Sequence, residues 1–231
     1  MTLQLDQKVL SKRVFNQQIL ELHIREFMLG QTHRYMDKQH SVIDVGGATG
    51  MYASYFAQHA KTVYSFEAVL PVYQQLEKIK EKYPNVLTFN KAVTKSSGTK
   101  TFYVDDKRLS NSSFQDLVGG QKITVPTVAL DDLGFTDVNF IKIDVEGCEL
   151  DVLHGAKKLI DDYKPTCMVE VYEKFNKYPI ITTFEFFFDR GYHCFYNKRA
   201  RGLMKVATIE DAVKAVQEKH KEHDGDFLFT R

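Results

Sequence analysis

The side chains best placed for chemistry in this chain are acids at the ends of short apolar runs. Asp44 lies in Val42-Ile43-Asp44-Val45, directly ahead of Gly46-Gly47-Ala48-Thr49-Gly50. Glycines let a backbone turn sharply and approach a ligand with no Cβ in the way. Their positions at 46, 47 and 50 do not fit the G-x-G-x-x-G spacing of a dinucleotide site. An acid before such a turn suits a cationic ligand better than a pyrophosphate. S-adenosylmethionine (SAM) carries a sulfonium and an ammonium, and Asp44 is expected to help bind its amino-acid end, directly or through water. Glu67, 23 residues further on, ends a second apolar run and can accept both hydroxyls of a ribose. Asn90 ends a third run, with Ala92 two positions later. Both are candidates for lining an adenine pocket.

A second group of polar residues follows strand-like segments later in the chain. Phe140, Lys142 and Asp144 share one face of a strand. A buried lysine is costly unless paired, so Lys142 either meets an acid near the site or extends to the rim. Glu146 follows in a loop, where it either caps the next helix or contacts an acceptor or metal. Glu170, inside Met168-Val169-Glu170-Val171-Tyr172, needs a partner if buried. Asp144 and Glu170 are the candidate general bases for a hydroxyl acceptor, with His193 behind them. Asp144, Glu146 and Glu170 are also oxygen donors of the kind Mg²⁺ takes, although a metal is not favoured.

These residues need strands that end at one edge. Short apolar runs at Ser41–Val45, Val63–Phe66, Val86–Phe89, Phe140–Val145 and Cys167–Tyr172 alternate with helical periodicity at 50–59, 71–82, 148–160 and 180–189. Such alternation implies a mostly parallel sheet covered on both faces, with ligands at the carboxyl ends of its strands. Lys100–Val104 and Ile123–Val128 read as added strands, with Pro126 confining the latter to an edge or bulge. Tyr192–Tyr196 and Asp226–Thr230 read as late strands, with a helix at 210–221 between them. Residues 1–40 read as a helical extension, with a stop at Gly30, and residues 41–231 as one domain. The loop Leu109–Phe114, with Ser113, is a candidate contact for the methionine end of the cofactor or for the acceptor. Asn197–Gly202 reads as a basic loop.

The block Phe140-Ile141-Lys142-Ile143-Asp144-Val145-Glu146-Gly147-Cys148-Glu149-Leu150 runs on to Val152-Leu153-His154-Gly155-Ala156 and is preceded by Val128-Ala129-Leu130-Asp131-Asp132-Leu133. Together these segments closely resemble the hallmark of the FkbM family of SAM-dependent methyltransferases. The resemblance spans roughly residues 40 to 230. It implies a Rossmann-like class I methyltransferase fold, an α/β architecture with a central, mostly parallel seven-stranded sheet. It implies SAM as methyl donor, S-adenosylhomocysteine (SAH) as product, and O-methylation of sugar or natural-product hydroxyls. By motif position Asp44, Gly46, Gly50, Glu67 and Asn90 bind SAM, with Gly47, Ala48, Ala68 and Ala92 beside them, and Asp144 adjoins the methyl-transfer centre. Relatives often carry Asn where this chain has Ala48.

Composition narrows the alternatives. Of 231 residues, 43% are hydrophobic and 26% charged, with a net charge of +1. That is a normal globular balance without the strongly basic character of a general nucleic-acid grip. No apolar run approaches the ~20 residues of a membrane span, and no signal peptide is read. Three widely spaced cysteines suggest free thiols, so a cytoplasmic protein is expected, and the family resemblance implies a small-molecule or saccharide acceptor. Three rivals remain. An N-methyltransferase of nucleic acid would often show [D/N]-P-P-[Y/F] where Asp144-Val145-Glu146-Gly147 stands. An NAD-dependent oxidoreductase conflicts with the glycine spacing. A non-catalytic SAM-binding module is the third.

Overall fold

Strand β1, Ser41–Val45, is buried at every position, as a strand covered on both faces must be. The computed structural model describes residues 28–104, 121–173, 176–198, 202–218 and 225–231. Within them β1 pairs in parallel with β2 (Val63–Phe66), and β2 with β3 (Val86–Phe89). On its other side β1 pairs in parallel with β7 (Val138–Ile143), and β7 with β8 (Thr166–Glu170). Strand β11 (Asp226–Thr230) runs antiparallel to β8 and pairs with β9 (His193–Lys198). The chain therefore leaves β1 in one direction for β2 and β3 and later returns to its other side. That reversal opens a crevice at the carboxyl ends of β1 and β7.

The sheet has eight strands, in the order β10-β9-β11-β8-β7-β1-β2-β3, rather than the expected seven. The extra one, β10 (Gly202–Val206), pairs antiparallel with β9. Part of the expected basic loop 197–202 is thus two strand ends, and residues 199–201 lie outside the described residues. A separate three-stranded sheet holds β4 (Ala92–Val93), β5 (Gly98–Val104) and β6 (Gln121–Val128). Strand β6 is central by order, not an edge. Yet β4 joins it only from Thr127, so Pro126 faces one partner, Thr99 of β5. The missing N–H is tolerated for that reason. Ser113 and its loop lie outside the described residues.

Helices cover both faces. Helix α1 (Met51–Phe56) packs Tyr52, Ala53 and Phe56 against Val42, Phe140, Met168 and Leu228. It is shorter than the expected 50–59 helix. Helix α2 (Leu70–Leu76) starts on Pro71 and tightens into a 3₁₀ turn, Glu77–Glu81. The opposite face carries α3 (Glu149–Gly155), α4 (Lys157–Tyr163), α5 (Ile181–Phe188) and α6 (Ile209–Glu218). The aromatic run of α5 is helical because Phe184 and Phe187, three apart, both meet the sheet. The Phe187 ring stacks on Phe229 at 3.9 Å, and Phe184 meets Phe227 edge-on.

Two sequence expectations change. The single helix read over 148–160 is two, interrupted at Ala156, whose φ of −116° and ψ of 11° are not helical. Gly155, just before the break, passes the Thr94 backbone so closely that a Cβ there would lie 2.2 Å from the Thr94 carbonyl oxygen. Gly30 does not stop a helix, because helical turns continue through Thr32 into a 3₁₀ turn at His33–Tyr35. Residues 1–27 of the expected helical extension lie outside the described residues. No helix among those described is long and apolar enough to cross a membrane. The contact at Gly155 is against backbone, which yields little. Gly155→Ala is therefore expected to destabilise the fold by about 1–3 kcal/mol, read as a lowered urea midpoint, and an unchanged midpoint would show that the α3–α4 junction relaxes freely.

Candidate active site

Parallel register carries the polar residues of the site onto one face of the sheet. Val42, Val63, Phe140, Met168 and Leu228 form the apolar floor of that face. One pleat further along, Asp44 stands opposite Ser65 on one side and Lys142 on the other. Beyond Met168, Glu170 ends β8 opposite Asp226 of β11. Alternation along each strand thus sets a polar row on an apolar floor at the edge where the crevice opens.

Lys142 is 2% exposed and does not extend to the rim. Its ammonium lies 3.6 Å from Asp44 Oδ1 and 3.5 Å from Asp144 Oδ2. It donates to the Gly46 carbonyl at 2.7 Å and sits 4.9 Å from the Tyr52 ring centroid. Asp44 is fully buried, and its Oδ2 accepts the Ser65 hydroxyl at 2.8 Å. Burial pushes the Asp44 carboxyl up, while Lys142 and Ser65 pull it back. Asp44 therefore presents no surface to a ligand, and its influence runs through Lys142 and the turn.

That turn is glycine by necessity. A Cβ on Gly46, at φ +77°, would lie 1.9 Å from the Asp144 carbonyl oxygen, and one on Gly47 would lie 2.1 Å from Ser65 Oγ. Ala48 holds a φ of 47°, a conformation that Asn accepts more readily than Ala. Glu67 braces the turn, with Oε2 accepting the Ala48 N–H at 3.1 Å and Oε1 the Val69 N–H at 2.8 Å. Burial raises its carboxyl to about 7 against those bonds. Each oxygen keeps a further lone pair for a ligand. The Asn90 amide donates to the carbonyls of Glu67 and Ala68, fixing the loop that carries Glu67.

A narrow cleft opens beside this turn, lined by Val45, Gly46, Phe66, Ala68, Lys91, Ala92 and Phe102 among others. Gly46, Ala68 and Ala92 were each candidate cofactor contacts, and they share this one wall. Its walls are mostly apolar, the contact a flat base wants, and Glu67, between the lining residues Phe66 and Ala68 in sequence, offers acceptors of the kind a ribose wants.

Beyond β7 the chain turns through Asp144 to Gly147, with Glu146 at φ 56°. One oxygen each from Asp144, Glu146 and Glu170 lies within 4.8 Å of the others. His193 does not join them, since it pairs with Thr230 at the opposite edge of the sheet. Sequence reasoning singled out no site role for Glu149. It is 2% exposed, and its Oε1 accepts the Gly147 N–H at 2.9 Å. Burial, with Glu170 and Asp144 nearby, raises its carboxyl to about 7. Lys177 and Tyr178 also escaped notice. They hold buried Asp151 at 3.0 and 2.8 Å, and the Lys177 N–H reaches the Gly147 carbonyl, strapping α3 to this turn. No sequence spacing signals a strap 26 residues from its partner.

A reversed-strand sheet with a glycine turn after β1 and acids at the ends of β7 and β8 is a class I methyltransferase fold. The chain belongs to the FkbM methyltransferase family, whose FkbM domain matches residues 44–194. A solved relative in fold is the methyltransferase FkbM of Methylobacillus flagellatus, with a TM-score of 0.55 and 15% identity over 84% of this chain. This chain spans 44% of that protein's length. A Streptococcus mutans protein solved in complex with SAH superposes at a TM-score of 0.51 with 11% identity, covering 89% of this chain and 97% of its own. No curated protein matches the chain.

Removing the Lys142 charge leaves Asp44 buried without a counter-ion. Lys142→Met is expected to lose about 3–5 kcal/mol in urea unfolding, and adding Asp44→Asn should recover part of that loss. Strict additivity of the two substitutions would refute the coupling. Glu149 supplies a second prediction. Its folded carboxyl titrates near 7 against an ordinary 4.5, so the folded state holds the proton more tightly than the unfolded one. That contribution is complete below the ordinary value and is lost as pH rises toward 7. Wild-type stability should therefore fall relative to Glu149→Gln across that window, whereas parallel curves would mean that Glu149 is not held protonated.

Proposed function

We propose that this methyltransferase uses SAM to methylate a hydroxyl oxygen on a sugar or small natural-product-like acceptor. The observation that carries this reading is the pair of unlike walls meeting at the β1–β7 crevice. On one side lie the mostly apolar cleft at Gly46, Ala68 and Ala92 and the Glu67 carboxylate that braces the glycine turn, and on the other the carboxylates of Asp144 and Glu170. Bound there, SAM supplies a methyl group on a positively charged sulfur.

The protein's own work is alignment and proton removal. Gly46 and Gly47 bring the backbone against the cofactor's path, and Glu67 accepts the ribose hydroxyls through its remaining lone pairs. Lys142 holds the end of β1 against the turn after β7, so cofactor and acceptor sides keep one geometry. Holding reactants in line lowers the entropic part of the barrier. The acceptor oxygen forms its bond to the methyl carbon as the carbon–sulfur bond breaks. Its proton passes to Asp144 or Glu170, the bases within reach of that edge. A nucleic-acid acceptor is disfavoured by the net charge of +1.

Calorimetric titration with SAM, SAH and NAD tests this reading. Adenosyl ligands should bind and NAD should not. SAH affinity should rise with pH through about 7, as Glu67 loses its proton and becomes the better acceptor. Glu67→Gln should weaken SAH about tenfold, the scale of a hydrogen bond to a charged group, and remove the pH dependence. A folded protein that binds no adenosyl ligand would overturn the cofactor assignment.

A further inference from the structure

Asp144, Glu146 and Glu170 meet although they come from two strand ends. Asp144 and Glu146 belong to the turn after β7, and Glu170 to the end of β8. One oxygen from each lies within 4.8 Å of the others. Three carboxylates so close repel one another in a half-buried site. A hard divalent cation with oxygen ligands at about 2.1–2.4 Å holds those oxygens no more than roughly 4.8 Å apart, and the three here fall within that limit. Lys142 does not neutralise the group alone, because its charge is shared between Asp144 and Asp44.

Glu149 is a second, independent observation at this turn. It is 2% exposed, and its Oε1 is turned to the backbone N–H groups of Gly147 and Val145. Its Oε2 is buried and meets no hydrogen-bond donor. The carboxylates whose charges bear on it are Glu170 and Asp144, and its Oε1 bonds set it beneath the 144–147 turn that carries two of the three cluster acids. Asp226, also buried, stands opposite Glu170 in register and adds another acid. A buried carboxylate oxygen without a donor is costly.

We infer that Asp144, Glu146 and Glu170 form a site for a divalent cation of the Mg²⁺ or Mn²⁺ type, with Glu149 as a fourth carboxylate behind them. The sequence offered the same three carboxylates as oxygen donors without favouring a metal, and the fold brings one oxygen of each within 4.8 Å of the others. In the hydroxyl-methylation reading, on which the role but not the site rests, an acceptor oxygen completes the cation's shell. Its hydroxyl then ionises more readily, and the proton passes to a carboxylate or to water. Acceptors with two adjacent oxygens, such as sugar diols, gain most from such a centre.

The test uses Mn²⁺ alone, titrated into the full chain and read as loss of the free-ion EPR signal, with SAH binding measured separately by calorimetry. Wild type should bind a single Mn²⁺ that Mg²⁺ displaces. Glu170→Gln and Glu146→Gln should weaken it by about tenfold or more. Glu149→Gln, which keeps an oxygen for the Gly147 N–H, should weaken it too, whereas a pure helix cap would leave it unchanged. A folded wild type that takes up no Mn²⁺, or Glu170→Gln binding as wild type does, overturns the site. SAH binding without Mn²⁺ binding sinks the cation site alone. Mn²⁺ binding without SAH binding sinks the cofactor reading and leaves the cation site standing.

Discussion

The upper edge of this sheet depends on one buried ammonium. Lys142 leaves water to sit between Asp44 and Asp144, and in that position it ties β1 to the turn after β7. A buried ion pair is a weak source of net stability, because desolvation offsets most of the attraction. Its value here lies in geometry. The ammonium also takes the Gly46 carbonyl, so the glycine turn, the strand that leads into it and the neighbouring acid share a single anchor.

Around that anchor the site is built by close approach. Gly46 lies against the Asp144 carbonyl and Gly47 against Ser65, leaving no room for a side chain. Ala48 takes a left-handed conformation without being glycine, held by the Glu67 carboxylate on its N–H. Asn90 in turn holds the loop that carries Glu67. Several residues that read as ligand contacts are thus also the supports of one another. Ordered supports of this kind are what keep a transfer site in line.

The legible parts were those written in short-range pattern. Strands Ser41–Val45, Val63–Phe66, Val86–Phe89 and Asp226–Thr230 match their apolar runs residue for residue. Ser41–Val45 and Asp226–Thr230 are buried throughout, where every position must be apolar or paired, whereas Val86–Phe89 at the sheet's edge shows by its short apolar run alone. The break at Ala156 was marked in the sequence only by Gly155, a weak signal inside a helical period, because the Thr94 backbone that adjoins it is distant in sequence. Strand β10 was missed for a related reason. Gly202–Val206 is half exposed at the sheet's edge, where alternation is weak and pairing with β9 decides the conformation.

The sequence by itself determined the fold class, the glycine turn, and the rank of acids that end the strands. These follow from hydrophobic period, backbone permissiveness and a motif block that is local along the chain. Only the tertiary structure decided what each acid does. Register made Asp44 a buried partner of Lys142 rather than an open contact, and it put His193 at the far edge. Packing turned Glu149 inward beneath the 144–147 turn and brought Glu170 to Asp144 and Glu146. Charge–charge distances and desolvation are properties of neighbours in space, and strand register, which sets those neighbours here, is not encoded in the spacing of the residues along the chain.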